Sequence, residues 1–380
     1  MWLIALNACV ANIDGAFEAA RDFALEAPGA VPAGWTPDAA VLLSDKQLGR
    51  LLGPLVSQAL DDAPQNVKID GPLGTVARLK PHLDLGEIDV HGGGADRADL
   101  TLSGSGNADW TFGPAKGKLP FAWSVRGTLV LDLDEDAALE VTEVTKASLT
   151  IKGRKLELDA SDGLEAWLAS WVVDELPDLP LGELGGEKLP VRATRVRGLD
   201  GGLAIELLTE AAHSEPLGSL AAPSEGLEVH GSQGSLLDLA RKQAFEEGPV
   251  TDETWIEPTA LSLSADAWTL GLRVWRLDPG WWRDYTVTGT IGIEGGEVKA
   301  EAVEATEVAH SQGAAFAEPL ALLATGQILQ GIVDAAQYAI PAQRGVNVAK
   351  RKALVELDAA QGDGNAWVLQ GSARWKRSRK

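Results

Sequence analysis

The sequence predicts an α+β protein built from two copies of one helix-and-sheet module. Three observations point there. Apolar residues fall at helical spacing in a few stretches and at alternate positions in many others. The order of those stretches recurs in the second half of the chain. At 380 residues the chain is long enough for two domains of common size.

The first module opens on Val41-Leu42-Leu43-Ser44-Asp45, a short strand running into a helix cap. There Ser44 or Asp45 can accept hydrogen bonds from the free N–H groups of the first turn. Leu48, Leu51, Leu52, Leu55, Val56, Ala59 and Leu60 then form one stripe along a helix, which Gly53-Pro54 is expected to kink. Between residues 66 and 158 the period falls to two. Leu83 and Leu85, Leu100 and Leu102, Leu129, Leu131 and Leu133, Leu149 and Ile151, and Leu156 and Leu158 alternate with polar residues. This is the pattern of an antiparallel sheet with one buried face, punctuated by Gly92-Gly93-Gly94 and Asp134-Glu135-Asp136 as turns. A second helix is expected from Ser161-Asp162, with Leu164, Trp167, Leu168, Trp171, Val172 and Leu176 on its stripe and Pro177 at its end. Strands over 189–196 and 203–208 follow.

A loop rich in Ala, Ser, Gly and Pro at 211–226 separates the halves, and the order then returns. Leu227-Glu228-Val229 is the entry strand. Leu236, Leu237, Leu239 and Ala240 open a helix that reaches Phe245. Alternating strands carry Leu261 and Leu263, Leu270 and Leu272, and Val287, Ile291 and Ile293. Thr288-Gly289-Thr290-Ile291 matches Arg126-Gly127-Thr128-Leu129, and Glu304 to Val308 matches Val141 to Val144. A helix over 319–339 bears Leu320, Leu323, Ala324, Ile328 and Ile332, and strands at 353–357 and 366–369 end the order. The expected divisions are 1–9, a tether at 10–40, a first module at 41–210, the linker at 211–226 and a second module at 227–376.

Composition narrows the function. Hydrophobic residues make up 45% of the chain, enough for a real core. The formal net charge of -22 repels phosphate backbones, which sets nucleic acid aside as a partner. With Cys9 the sole cysteine, an intrachain disulfide is impossible and a cysteine-based zinc site has no ligands. The opening stretch through Leu6-Asn7-Ala8-Cys9 is apolar and resembles a bacterial lipobox, with residues 1–9 as a signal-peptide remnant. That reading makes Cys9 the lipidated anchor of a protein at the bacterial periplasmic face or outer membrane.

The sequence holds no Gly-x-Ser-x-Gly elbow, no Walker-type phosphate loop and no His-Glu-x-x-His, so no catalytic role and no cofactor are expected. Asp132, Asp134 and Asp136 with Glu143 echo a calcium loop, but Ala137 stands where that loop needs glycine, and a charged hairpin tip is the expectation. Trp281-Trp282 after the Asp278-Pro279-Gly280 turn, with Trp268 and Trp275 before them, leave open exposed rings that stack on sugars or dip into a membrane interface, and equally packing between the modules.

The order of strand, helix, sheet, helix and two strands resembles the tubular lipid-binding superfamily, in its two-module members similar to the bactericidal/permeability-increasing protein. The most similar segments are Val41 to Leu52 and Asp70-Gly71-Pro72-Leu73-Gly74-Thr75-Val76. The resemblance implies that each module is a long helix wrapped by a strongly curved antiparallel sheet with a second helix alongside, the two joined end to end through a shared central sheet. It also implies binding of phospholipid or fatty acid. The disulfide of animal members is impossible here, and the basic tip of endotoxin-binding members is missing from this acidic chain. Under that resemblance Leu48, Leu51, Leu52, Leu55, Trp167, Leu168, Trp171, Val172, Leu320, Ile328 and Ile332 line apolar cavities. The competing expectations are an envelope scaffold with a filled core and a Trp-based carbohydrate-binding protein.

Overall fold

The computed structural model of the chain describes residues 13–377 except 63–66, 72–73, 93–95, 113–114, 133–136, 152–153, 157–178, 183–188, 252, 279, 295–296, 312–346, 349–350 and 364. Among the described residues, three antiparallel sheets carry the molecule. The central one has seven strands in the order β16-β17-β18-β11-β1-β10-β9, and takes strands from both sides of the 211–226 segment. These are β1 (Ala39–Ser44), β9 (Val191–Leu199), β10 (Gly202–Thr209), β11 (Leu227–Ser232), β16 (Asn347–Val348), β17 (Arg351–Asp363) and β18 (Ala366–Arg377).

A second sheet runs β2 (Val67–Gly71), β3 (Gly74–Gly92), β4 (Ala98–Phe112), β5 (Ala115–Asp132), β6 (Ala137–Ile151) and β7 (Arg154–Leu156), with β8 (Leu179–Gly182) also on β6. A third comprises β12 (Thr254–Ser264), β13 (Ala267–Arg276), β14 (Trp281–Glu294) and β15 (Glu297–His310). Three helices accompany them: α1 (Ile13–Ala24), α2 (Asp45–Asp62) and α3 (Gln233–Glu247).

The expected α+β architecture of two tandem modules, each a long helix wrapped by a strongly curved sheet, is overturned by this content. Sheet dominates, and the described helices have only 12, 18 and 15 residues. The physical reason lies in the strands. β3 is 19 residues long, roughly 60 Å at the usual rise per residue. Ladders of that length satisfy most of the backbone without helices. The expected helices over 161–176 and 319–339 lie outside the described residues.

At the centre, β1 pairs with β11 in antiparallel register, Val41 opposite Val229. Each strand runs straight into a helix through a serine. Ser44 Oγ accepts the N–H of Gln47 at 3.2 Å, and Ser232 Oγ accepts that of Ser235 at 3.1 Å. The two serines also tie the strands together: Ser44 N–H donates to Gly226 O at 3.1 Å and Ser232 N–H to Asp38 O at 2.8 Å. Every residue of β1 and β10 is buried. Their sequences, AAVLLS and GLAIELLT, are accordingly apolar on both faces rather than alternating. Val41 and Leu43 enter the main core, while Ala40 and Leu42 meet Ala204 and Leu217 on the other face.

The outer sheets join the central one where backbones touch. A side chain at Gly198 would strike the carbonyl of His91, and one at Gly362 would strike the backbone of Leu263. One apolar cluster therefore runs unbroken through all three sheets, from Val90, Leu100 and Leu129 through Val41, Val229 and Leu369 to Leu270, Leu272 and Val287.

Residues 13–38 form a helix and a strap held to the body. α1 lays Ile13, Phe17 and Ala24 on Phe245 and Trp275, with Trp255 and Trp282 beside them. The strap is fastened by Arg192, which donates to Gly29 O at 2.6 Å, and by Arg195, whose guanidinium lies 4.3 Å from the Trp35 ring centre.

Candidate functional site

The apolar interior is the feature that the long strands build. α2 faces it with the expected stripe: Leu48, Leu51, Leu52 and Leu55 are 0–7% exposed and belong to the main cluster. Two polar contacts tie the first half of this stripe to β18, Gln47 Nε2 donating to Ala373 O at 2.6 Å and Trp375 Nε1 to Leu51 O at 2.9 Å. Trp167, Leu168, Trp171, Val172, Leu320, Ile328 and Ile332 lie outside the described residues, as does Cys9.

The floor of the interior is built from an arrangement that the sequence did not reveal. On β4 the inward positions are Ala98, Leu100, Leu102, Gly104, Gly106 and Ala108. Trp123 stands opposite Gly104 and Phe121 opposite Gly106. A Cβ on Gly104 would lie 2.9 Å from the Trp123 ring, and one on Gly106 would lie 2.7 Å from Phe121. The rings therefore lie over the glycines, and Trp123 Nε1 donates to Ser105 O at 3.0 Å. The third sheet does the same: Trp268 covers its cross-strand partner Gly289 and donates to Thr290 O at 3.0 Å. The signal in the sequence was Gly at an inward strand position, legible only once the register places an aromatic opposite.

Apolar side chains also border this interior. Leu83, Leu85 and Leu131 in one sheet, and Ile293, Ala300 and Ala302 in the other, are half-buried against the cluster. Leu83 and Leu85 face the same side as Ile88 and Val90 because a bulge at Gly86 shifts the β3 register between them.

A cavity of about 490 Å³ opens on the face of the central sheet away from the main core. Its lining includes Arg50, Glu225, Glu228, Asp358, Gln370 and Ser372. Arg50 is paired with Glu225 at 2.7 Å, and Glu228 binds His230 at 2.9 Å and Gln370 at 3.0 Å. The hydrogen bond from His230 holds the Glu228 carboxyl below its ordinary range. None of the apolar stripe residues lines this cavity. On the same face Glu206, fully buried, sits between Arg195 at 2.5 Å and Arg197 at 2.6 Å.

Two other carboxyls are displaced upward by burial. Asp38 is raised by desolvation, partly offset by Thr209, which donates both its hydroxyl and its N–H. Glu257 is raised for the same reason, offset in part by the indole N–H of Trp275 at 2.9 Å.

The tryptophans considered for sugar stacking do not form an exposed row. Trp268 and Trp275 are 1% exposed, Trp281 is half-buried against the main core, and Trp282 is half-buried beneath the Arg273 guanidinium at 4.4 Å. The acidic stretch compared with a calcium loop joins β5 to β6, where Asp132 pairs with Ala138 and Glu143 lies further along, opposite Thr128. Residues 133–136 are outside the described set, and among the described residues no group of side chains could hold a metal ion. Among the described residues, no helix is long and apolar enough to cross a membrane.

No family model matches the chain, and no curated protein matches its sequence. Several solved structures are similar, two of which follow. One is lipopolysaccharide binding protein, at 12% identity and a TM-score of 0.36, over 90% of this chain and 100% of that one. The other is P47 of Clostridium botulinum E1, at 11% identity and a TM-score of 0.47, over 89% of this chain and 99% of that one. At these TM-scores neither likeness bears on function.

Proposed function

We propose that this chain is a non-enzymatic lipid-binding protein that takes up a phospholipid or fatty acid by its acyl chains, within the apolar interior between sheets and helices. The observation that carries the reading is the continuity of that interior. One apolar cluster spans all three sheets, and half-buried Leu83, Leu85, Leu131 and Ile293 pack at its borders.

The energetics suit exchange. Each buried CH₂ gains about 0.8 kcal/mol relative to water, so a lipid of about thirty methylenes gains roughly 24 kcal/mol. Leaving a bilayer costs nearly the same amount, so transfer between protein and membrane is close to neutral. The proposal includes an anchor: Cys9 as a lipidated residue at the bacterial periplasmic face or outer membrane. Metabolic labelling with a fatty-acid analogue, lost in Cys9→Ala, is the expected result for that part, and unlabelled wild-type protein would remove it.

The competing reading is an envelope scaffold with a filled core, favoured by the near-complete burial of Leu48, Leu51, Leu52 and Leu55. A transfer assay separates the two. A phospholipid with a fluorescent acyl chain, self-quenched in donor vesicles, should dequench in acceptor vesicles at a rate proportional to protein concentration. A rate unchanged by protein would favour the scaffold.

A further inference from the structure

Among the described residues, most buried indoles have a partner. Trp123, Trp268 and Trp275 donate to Ser105 O, Thr290 O and Glu257 Oε2, and the half-buried Trp375 donates to Leu51 O. Trp367 differs. It is 2% exposed, lies in the main apolar cluster, and among the described residues its Nε1 has no hydrogen-bond partner. A buried donor is rarely left unpaired without a reason.

Its cross-strand neighbours offer it no side-chain acceptor. In the ladder Trp367 on β18 stands between two glycines, Gly231 on β11 and Gly362 on β17. The space a side chain would fill at Gly231 is occupied by Leu236 at 3.3 Å, and that at Gly362 by the backbone of Leu263. Both cross-strand neighbours thus lack any side-chain acceptor, and the side chain over Gly231 is a leucine.

We propose that the Trp367 indole N–H is the polar contact of the lipid site, donating to an acyl carbonyl oxygen of the bound lipid. The inference rests on the lipid-binding reading and makes it more specific. An acyl carbonyl accepts hydrogen bonds and donates none, and it sits at the head of the hydrocarbon that the apolar cluster would hold. An ester of a phospholipid and the carboxyl of a fatty acid both offer such an oxygen.

The test compares uptake from vesicles of a diacyl phosphatidylcholine, its dialkyl-ether analogue and a free fatty acid. Wild-type protein should favour diacyl over dialkyl lipid by roughly two- to tenfold, the range of one net hydrogen bond. Trp367→Phe should bring that ratio to about one while still taking up the ether lipid. If the fatty acid shows the Trp367-dependent uptake and the diacyl lipid does not, the acceptor is a carboxyl. Equal uptake of ester and ether by wild-type protein, with fatty-acid uptake unchanged in Trp367→Phe, overturns the inference while leaving lipid binding intact. Uptake of none of the three overturns the lipid-binding reading itself, and this inference with it. Wild-type protein labelled with ¹⁵N at its indoles gives a readout independent of the variant's folding. The Trp367 N–H resonance should move downfield with a carbonyl-bearing lipid and stay put with the ether. A resonance indifferent to all three lipids also overturns the inference.

Discussion

Trp268 covers Gly289, its antiparallel partner on the neighbouring strand, and donates its indole N–H to the carbonyl of Thr290, the next residue. Trp123 makes the same pair of contacts with Gly104 and Ser105 in another sheet. The relationship lets a large ring lie within a long strand pair at no cost to the ladder. It demands glycine, because a Cβ at position 289 would collide with both the indole and the carbonyl of Glu301. Gly289→Ala is therefore expected to destabilise the protein by about 1–3 kcal/mol through overpacking. Gly49→Ala, in the interior of α2 with nothing within 4 Å of the added carbon, should stabilise it by about 0.5–1 kcal/mol. Denaturant unfolding of the two variants checks the opposite signs.

Ser44 serves two strands and a helix at once. Its hydroxyl caps α2 through Gln47 N–H and donates to Gly226 O at 3.0 Å, while buried. Ser44→Ala should cost about 1–2 kcal/mol in the same unfolding experiment, from the lost cap and the lost donor. A cost indistinguishable from zero would mean that neither contact persists in solution.

Two glutamates, Glu257 and Glu228, should give opposite pH dependences. The Glu257 carboxyl is raised above its ordinary 4.5 by burial, so the folded state favours its protonated form. Its unfavourable contribution is absent below the unfolded value and develops as pH rises through that value toward the folded one. Glu257→Gln should thus gain stability over wild type at pH 7 and lose that advantage at pH 4. The Glu228 carboxyl is lowered from 4.5, first by the hydrogen bond from His230, so its contribution is present above 4.5 and lost as pH falls. Glu228→Gln should be less stable than wild type at pH 7, with the gap closing in acid. Unfolding curves of both variants across this range report the signs.

Phe17 is the centre of the α1 contact, with ring centres 5.8 Å from Phe245, 5.3 Å from Trp255 and 5.9 Å from Trp275. Truncating a buried Phe costs about 3–5 kcal/mol, comparable to all that one short docked helix can contribute. Phe17→Ala should release α1 while the sheets stay folded. The expected signs are a red shift of Trp fluorescence and faster proteolysis within 25–37, with the main unfolding transition little changed. Unaltered proteolysis would show that the strap contacts at Arg192 and Arg195 hold the segment without Phe17.

Parts of this molecule could be read in its sequence. The α2 stripe of Leu48, Leu51, Leu52 and Leu55, the cap at Ser44, and strands such as Leu270 to Leu272 obey local periodicity, which is what a sequence displays. The length of the strands was not legible. At Gly104 and Gly106 the apolar alternation vanishes, because Trp123 and Phe121 on the next strand supply the missing bulk. The sequence pattern accordingly understates sheet relative to helix among the described residues. The pairing of Val41 with Val229, and the reach of Gln47 to Ala373, join residues far apart in the chain and leave no local trace. The unpaired indole of Trp367 was equally hidden, since an orphaned donor is defined by its surroundings and not by its neighbours in sequence.

The central claim is that the apolar interior holds lipid, and native mass spectrometry of the purified protein, followed by organic extraction, tests it most directly. The account predicts a mass excess that extracts as phospholipid or fatty acid, and its return when stripped protein is incubated with vesicles. A clean ligand-free mass with no uptake from added vesicles would contradict it and leave a filled-core scaffold.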